Sequence, residues 1–316
     1  MATAEAIDKV QRTRDDVLWI FRAGIWKPRT SPTTFQGAGE EGLHWLLQVK
    51  ARFGIPVATE VATPDHVQAA LQAGIDYLWI GARTSANPIA VEAIAEVIRT
   101  QPHRLSGLFI KNPVNADPAL WLGNIERLEK TGLPVMAIHR GCNHQPCWAM
   151  AHQVRTTRPN IPMLLDPSHM SGDAKAVPQL LAQIEALDLN GAMIEVHCNP
   201  SSALSDAKQQ ISPEQLPNLP NLANPQNPEL NWLRAEIDEL DDTLWATIAA
   251  RMDVSQRIGE WKKAHGVTPL QPERYKQIRE RLQRKGQALH LSPSFVEQIW
   301  NALHEESLNR QIENGQ

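Results

Sequence analysis

Short, nearly continuous apolar runs recur about every 25 to 30 residues through the first two thirds of the chain. Such runs are typical of strands that are buried on both faces of a parallel sheet. Helical segments with apolar spacings of three and four lie between them, for example at 39–54 and 64–74. The alternation predicts an α/β fold, either a (β/α) barrel or a doubly wound sheet. A barrel of this type needs eight strands, and the chain offers seven runs, at 17–24, 55–61, 77–82, 107–112, 134–141, 162–168 and 191–197.

The pattern changes after residue 210. Residues 211–228 are rich in proline and asparagine, which predicts a linker between domain 1–210 and domain 229–316. The second domain begins with an apolar stripe at helical spacing, which predicts one helix of about 35 residues, or about 50 Å. A helix this long cannot bury its stripe within one small domain, so a partner is expected. Two further helices are predicted at about 272–289 and 293–312, with Ser292 as the N-cap of the last one.

Composition narrows the class of protein. The chain has a net charge of −4, which gives no support to binding of nucleic acid or of an anionic membrane. No apolar run reaches the length of about 18 residues that a membrane helix needs. Three cysteines in 316 residues form no disulfide framework. We therefore expect a cytoplasmic protein with a sizeable core.

Cationic side chains gather where the predicted strands end. One such residue is most often a solvated loop residue. In a barrel, however, the strand ends converge on one mouth, where like charges repel unless an anion neutralises them. Phosphates and carboxylates are the natural ligands of such a cluster. Its members are Arg22, Lys27, Arg29, Arg83, Lys111 and Arg140, and the segment "KPRTSP" (27–32) forms a stiff, proline-containing loop among them.

A second group of strand-end residues has the chemistry of a metal site. His169, Glu195 and Asp206 supply one imidazole and two carboxylates, a set that suits Mn²⁺, Fe²⁺ or Zn²⁺. Each of them alone is more often a structural hydrogen-bonding residue. Together at the mouth of a barrel, they predict a divalent metal that polarises a carbonyl oxygen.

The motifs of the first domain resemble one family. The segments "FRAGIWKPRTSPTTFQG", "TEV", "IGART", "FIKNPV", "IHRG", "DPSH", "EVHCNP" and "SDAKQQ" resemble, in order and spacing, the 3-deoxy-D-arabino-heptulosonate 7-phosphate (DAHP) synthases. The likeness is strongest to the type with a C-terminal chorismate mutase. The resemblance implies a TIM (β/α)8-type barrel that condenses phosphoenolpyruvate with erythrose 4-phosphate in the shikimate pathway.

The resemblance also implies roles for the strand-end residues. Arg29 and Thr30 would bind the phosphate of erythrose 4-phosphate, and His169, Glu195 and Asp206 would bind the metal. Two further cations, Lys27 and Lys111, would have catalytic roles. The residues that would hold phosphoenolpyruvate are Arg22, Lys27, Arg83, Lys111 and Arg140.

One feature of the family has no match in this sequence. The fourth metal ligand of the family is a cysteine in a Gly-Pro-Cys turn that closes the first barrel strand, and the sequence contains no such turn. Residues 1–16 already resemble the helix that follows that strand, so either the chain begins late or the barrel is incomplete. Three ligands would hold a metal more weakly than four. We therefore expect impaired or absent synthase activity for this chain as written.

The second domain resembles the all-helical, type II chorismate mutases over residues 229–312. Arg251 and Lys262 lie eleven residues apart, so they share a helix face, whereas Arg234 is rotated by about 100° from Arg251. The resemblance implies a homodimer in which each site borrows Arg234 from the other chain. It also implies that chorismate is rearranged to prephenate without a cofactor.

In that site, Arg251 and Arg274 would hold the carboxylates of chorismate together with the borrowed arginine. Lys262 and Gln311 would donate to its ether oxygen, and Ser307 would be a further polar contact. Two positions depart from the family, because Gln271 and Tyr275 stand where many members have acidic residues. Recognition of the chorismate hydroxyl is therefore open, with Glu273 as a candidate.

Three hypotheses follow. The leading one is a bifunctional shikimate-pathway enzyme that is dimeric through its helical domain. The second is a chorismate mutase whose degenerate barrel has a regulatory or scaffolding role. The third, in which the helical domain is only a dimerisation coil, does not explain the cations along its apolar stripe.

Overall fold

The computed structural model describes residues 1–11, 17–28, 31, 33–218, 228–268 and 270–313. It divides into two compact units, Met1–Ile237 and Asp238–Gln316, which are described separately below. The predicted ligands Arg29 and Thr30, and half of the predicted linker (219–227), lie outside the described residues.

The first unit contains a parallel sheet whose strands follow one another in chain order. Each strand aligns with the next in parallel register, for example Arg22 with Ala58 and Ile80 with Ile110. The prediction of seven parallel strands is confirmed, and they form a half-barrel. The strands are β1 (Phe21–Ala23), β2 (Val57–Val61), β3 (Tyr77–Ile80), β4 (Gly107–Lys111), β5 (Val135–His139), β6 (Met163–Leu165) and β7 (Gly191–Ala192).

Helices connect consecutive strands of the half-barrel. In several of them the first residue is a proline that follows an N-cap side chain, and these caps are Thr63, Asn87 and Asp117. The α-helices of this part are α1 (Ala2–Gln11), α2 (Glu41–Phe53), α3 (Pro64–Ala73), α4 (Ala82–Ser85), α5 (Pro88–Thr100), α6 (Pro118–Glu129), α7 (Trp148–Thr157), α8 (Pro167–Ser171), α9 (Val177–Leu181) and α10 (Gln183–Ala186). Short 3₁₀ helices lie at Pro102–Arg104, Ala174–Ala176, Pro200–Ser202, Ala207–Gln209 and Pro213–Asn218.

The central strands, β2 to β6, are largely buried on both faces, which explains why their apolar runs are continuous. Alternate residues point to opposite faces of a strand. One set packs against the surrounding helices, as Leu78 and Leu108 do. The other set, which includes Trp79, Phe109 and Ile138, forms a separate apolar cluster. The carboxyl ends of the strands therefore project from a rigid, packed support.

The last predicted strand is shorter than its apolar run. Only Gly191 and Ala192 form β7, although the run was expected to continue to residue 197. Beyond them, Val196 forms an isolated parallel bridge with Ile211, whose amide donates to the Glu195 carbonyl. The Met193 amide still donates to the carbonyl of Leu165 in β6 at 2.7 Å, whereas from Glu195 onward the backbone bonds to a later part of the chain.

A helix of 37 residues, α11 (Pro228–Ala264), leads into the second unit and confirms the long helix that the sequence predicts. The two following helices, α12 (Pro272–Ala288) and α13 (Pro293–Glu313), are also confirmed. Ser292 caps α13, because its hydroxyl accepts from the amide of Phe295. In the described part of the chain, no helix combines the length and the apolar character that a membrane crossing requires.

Within the second unit, α11 packs closely against α13. Glycine is needed at the crossing, since a Cβ atom on Gly259 would lie 2.8 Å from the Cα atom of Gln311. Met252 and Ser255 are buried on the same face of α11. This close approach carries the polar side chains of α13 to the cations of α11.

Candidate active sites

A buried ion pair lies at the centre of the barrel mouth. Lys111, the last residue of β4, donates to the carboxylate of Asp166 at 2.6 Å, and the two residues are 5% and 0% exposed. Asp166 directly follows β6 and caps α8 by accepting from the amide of His169. Burial would raise the pKa of Asp166, but His169 and Lys111 outweigh burial and hold the pKa well below its usual value. The aspartate is therefore a fixed negative charge.

A second carboxylate, Glu195, lies between a cation and an imidazole. Its oxygen Oε1 is 3.5 Å from Nη2 of Arg22 and 3.9 Å from Nε2 of His169. Gln209 donates to its other oxygen at 2.9 Å, and the hydroxyl of Ser168 accepts from its amide. Burial acts to raise its pKa, yet His169 and Arg22 lower the pKa overall.

Two buried donors of Arg22 make no hydrogen bond within the described part of the chain, although one of them, Nη2, lies 3.5 Å from Glu195. Its guanidinium lies 5.5 Å from the centre of the Trp79 ring. Its Nε and Nη2 atoms are buried and have no hydrogen-bond acceptor among the described residues. A buried donor without an acceptor costs about 1–3 kcal/mol. An anionic ligand in the mouth would remove that cost.

The loop after β1 places Lys27 beside the third predicted metal ligand. Lys27 donates to the hydroxyl of Ser205 at 2.7 Å and lies 3.6 Å from the carboxylate of Asp206. The base of the loop is tight, because a Cβ atom on Gly37, at a φ of +104°, would lie 2.0 Å from the carbonyl oxygen of Ile25. The structure therefore brings Lys27 to the same mouth as Arg22.

Arg140 and Arg83 approach the mouth from the neighbouring strands. The backbone of Arg140 is fixed because its amide donates to the Asn112 side chain at 2.7 Å, which in turn donates to the carbonyl of Gly141. Burial lowers the pKa of Arg140, Asp166 raises it, and the nearby Arg83 lowers it further. Five of the predicted cations therefore share this end of the barrel.

The sequence alone assigns no role to the carboxylate of Glu60, which lies near the end of β2. Its carboxylate sits so close to β3 that a Cβ atom on Gly81 would lie 2.0 Å from Oε1. Burial raises its pKa, and Lys111 and Lys27 act in the opposite direction. The signal available in the sequence was its position at the end of a buried strand, in "TEV".

The predicted metal ligands are only partly brought together. His169 and Glu195 are 3.9 Å apart, and both are close to Asp166. In the described residues, no three histidine, cysteine, aspartate or glutamate side chains converge as a metal-binding group. The donor types suit a divalent metal. The ligand set of His169, Glu195 and Asp206 stays a prediction.

The helical unit brings four predicted site residues together. Arg251 donates to the Ser307 hydroxyl and, at 3.1 Å, to the carbonyl of Leu303. Lys262 donates to Oε1 of Gln311 at 3.0 Å, and Nε2 of Gln311 donates to the hydroxyl of Ser255. The acceptors in these hydrogen bonds are neutral oxygens. Burial lowers the pKa values of Arg251 and Lys262.

The other two predicted mutase cations lie apart from this cluster. Arg234 and Arg274 are exposed, and no contact in the described residues joins either of them to Arg251 or Lys262. Arg234 is 17 residues from Arg251 on the same helix, which is about 25 Å. A single chain therefore cannot bring these two arginines to one small ligand.

Large apolar side chains along the long helix are exposed. The most exposed of them are Leu240, at 68%, and Trp245, at 67%. Ile237 and Leu244, which continue the predicted stripe, are exposed as well. A contiguous apolar face of this kind is typical of a surface that another protein covers.

The parallel half-barrel, with its cations and carboxylates at the carboxyl ends of the strands, defines a barrel enzyme of the α/β class. The model of the DAHP synthetase I family matches residues 1–230, and the model of chorismate mutase type II matches residues 233–312. The chain therefore belongs to the DAHP synthetase I family and carries a type II chorismate mutase region after the barrel. Both resemblances that the motifs indicated are confirmed.

Individual relatives agree with this assignment. A phospho-2-dehydro-3-deoxyheptonate aldolase of Thermotoga maritima is 29% identical over 212 residues, which are 63% of this chain and 59% of that protein. A crystal structure of the same kind of enzyme, a DAHP synthase from Thermotoga maritima, superposes with a TM-score of 0.58 at 25% identity, covering 77% of this chain and 65% of that one. A 4-amino-4-deoxychorismate mutase of Streptomyces venezuelae is 37% identical over 75 residues, which are 24% of this chain and 73% of that protein. The chain thus spans about three fifths of the barrel relative.

Proposed function

We propose that the helical module, residues 229–316, rearranges chorismate to prephenate. The observation that carries this proposal is that Arg251 donates to two neutral oxygens, the Ser307 hydroxyl and the Leu303 carbonyl. No carboxylate among the described residues pairs with Arg251, so its positive charge is available to a dianionic substrate. The rearrangement needs no cofactor, because it requires only that one compact conformer is held and that charge on the ether oxygen is stabilised.

Each side chain has a role in this mechanism. Arg251 and Arg274 bind carboxylates of chorismate, with Ser307 beside Arg251. Lys262 donates to the ether oxygen. Gln311 donates to the same oxygen, since its amide nitrogen has two hydrogens and only one is needed for Ser255.

The module works as a homodimer that is formed along its long helix. The exposed apolar stripe of α11 supports this proposal, because pairing with a second copy would bury it. Arg234 of the partner subunit would then complete the site that contains Arg251. This arrangement explains why the two arginines are about 25 Å apart within one chain.

We further propose that the barrel, residues 1–210, binds phosphoenolpyruvate and erythrose 4-phosphate and condenses them to DAHP. The unsatisfied donors of Arg22 support a bound anion. Phosphoenolpyruvate would lie among the five cations of the mouth, with Lys27 and Lys111 positioned to move protons at its oxygens. Arg29 and Thr30 would bind the phosphate of the aldose. Residues 211–228 link the two modules.

A divalent metal, Mn²⁺, Fe²⁺ or Zn²⁺, would polarise the carbonyl of the aldose when bound. His169, Glu195 and Asp206 would hold it, and the absence of a Gly-Pro-Cys motif from the sequence predicts weak binding. We place both reactions in the cytoplasm, with small metabolites instead of nucleic acid or membrane as ligands, because the net charge is −4 and cysteines are few.

Two assays on the full chain test these proposals. Prephenate formation from chorismate should be fast without added metal, and its absence would contradict the mutase proposal.

DAHP formation with added Mn²⁺ should be slow. No detectable DAHP, together with normal prephenate formation, would favour the second candidate, a mutase with a regulatory barrel. Full synthase turnover would show that the weak-metal prediction is wrong.

A further inference from the structure

Three aromatic side chains form an uncharged wall beside the cations of the helical unit. The ring of His304 on α13 lies 4.7 Å from the ring of Tyr275 on α12 and 5.3 Å from that of Trp300, measured between ring centres. Tyr275 and Trp300 are 5.8 Å apart, so the three rings are mutual neighbours. We call Tyr275, Trp300 and His304 the aromatic wall.

The aromatic wall is continuous with the proposed substrate site. The guanidinium of Arg251 lies 6.0 Å from the centre of the Trp300 ring. His304 precedes Ser307 by three residues on α13, so the two side chains lie on the same helix face. Burial, followed by the charges of Arg251 and Lys262, lowers the pKa of His304. The imidazole is therefore neutral at neutral pH.

The wall contains hydrogen-bonding groups but no carboxylate. The hydroxyl of Tyr275 donates to the side-chain oxygen of Asn301 at 3.1 Å, so its own oxygen can accept a further hydrogen bond. A neutral imidazole has one donor and one acceptor nitrogen. Such groups suit a neutral hydroxyl on a ligand. An ammonium group would instead lie near the cationic Arg251, and none of the three wall residues offers it a carboxylate, which is unfavourable.

We infer that Tyr275 and His304 set the substrate specificity of the helical site, selecting a cyclohexadiene diacid with a neutral ring hydroxyl over the same diacid with a ring ammonium. The inference rests on the proposed mutase function. The sequence leaves the ring substituent of the substrate open, because Gln271 and Tyr275 replace the acidic residues of many relatives and one similar mutase is named for the amino substrate. The inference assigns a hydroxyl at that position.

The test compares chorismate and 4-amino-4-deoxychorismate as substrates of the full chain. We expect kcat/KM to be at least about tenfold higher for the hydroxyl substrate, because an unpaired buried polar group is costly. Tyr275→Glu should shift this ratio by about tenfold or more toward the ammonium substrate, mainly through KM, by supplying a counter-ion. Glu305→Gln, on an exposed position next to His304, is the matched control and should leave the ratio unchanged.

A second variant protects the test against misfolding of Tyr275→Glu. Tyr275→Phe keeps the ring and removes the hydroxyl, so it should reduce the preference for chorismate several-fold without gain on the ammonium substrate. Equal or inverted preference in the unmodified chain, or an unchanged ratio in Tyr275→Phe, would overturn the inference. If neither diacid is rearranged by the unmodified chain, the mutase proposal itself fails.

Discussion

The two candidate sites of this chain differ in how they treat positive charge. In the barrel, Lys111 is matched by Asp166, and Arg22 by Glu195. In the helical unit, Arg251 is held by a hydroxyl and a carbonyl oxygen. At the barrel mouth these two cations lie beside built-in carboxylates, whereas Arg251 has no carboxylate partner among the described residues and keeps its charge for a ligand. A site of the second kind depends far more on each single cation.

The units also differ in how they bury apolar surface. The central strands of the barrel, β2 to β6, are largely covered on both faces, and residues such as Val57 and Ile110 are fully buried. The long helix instead exposes Leu240, Leu244 and Trp245. The core along the central strands of the half-barrel is thus formed within one chain, while the helical unit presents an apolar face that fits a second copy.

The largest expected effect is the loss of Arg251. Arg251→Ala should lower kcat/KM for prephenate formation by about 10³-fold or more, because it removes uncompensated charge that stabilises the transition state. Arg257→Ala, an exposed position six residues along the same helix, is the control and should change the rate less than twofold. A loss below about tenfold in Arg251→Ala would contradict the assignment.

The buried pair in the barrel should instead affect stability. Lys111→Met leaves the carboxylate of Asp166 buried with one counter-charge fewer, which should lower the free energy of unfolding by about 3–5 kcal/mol. The partly exposed pair between Lys50 and Asp76 offers a matched control, and Lys50→Met should cost no more than about 1 kcal/mol. Urea unfolding of the two variants measures both values. Equal costs would show that burial of the Lys111 pair is unimportant.

Acid should weaken the barrel through His139. This side chain is fully buried, its Nε2 donates to the carbonyl of Pro146 at 2.5 Å, and burial lowers its pKa from 6.5 to about 4. Between pH 6.5 and 4 the unfolded chain binds a proton that the folded chain does not, so stability falls as pH falls in that window. Neutral His139 therefore contributes about 3 kcal/mol to the free energy of unfolding above pH 6.5, and this contribution is fully lost below pH 4.

Urea unfolding at pH 7 and pH 4 checks this prediction. The loss of stability between the two pH values should be smaller by about 3 kcal/mol in His139→Gln than in the unmodified chain, whatever other groups titrate. The same pH dependence in both proteins would show that His139 does not account for it.

Periodicity was sufficient to predict the elements of the fold. Continuous apolar runs located β1 to β7, most clearly where both faces of the strand are buried, as in β4, and the stripe on α11 gave its length. The shared face of Arg251 and Lys262 followed from helical geometry, and both contact α13. Relations between residues of one helix or strand follow from their spacing in the sequence.

Partners that are distant in sequence could not be predicted. The position of Asp166 before a proline suggests that it caps α8. Its pairing with Lys111, which is 55 residues away, depends instead on the packing of β4 and β6. The neutrality of His304 likewise depends on burial and on Arg251 from another helix. Such electrostatic effects arise only in the folded chain.

Mixing two inactive variants tests the shared helical site most directly. A chain with Arg234→Ala and one with Arg251→Ala should each be nearly inactive alone. After unfolding and refolding together at equal amounts, half of the dimers contain both variants, and in each of these one of the two sites has both arginines. The proposed mechanism predicts prephenate formation at about one quarter of the unmodified rate. Activity no greater than the sum of the separate variants would contradict a site built from two chains.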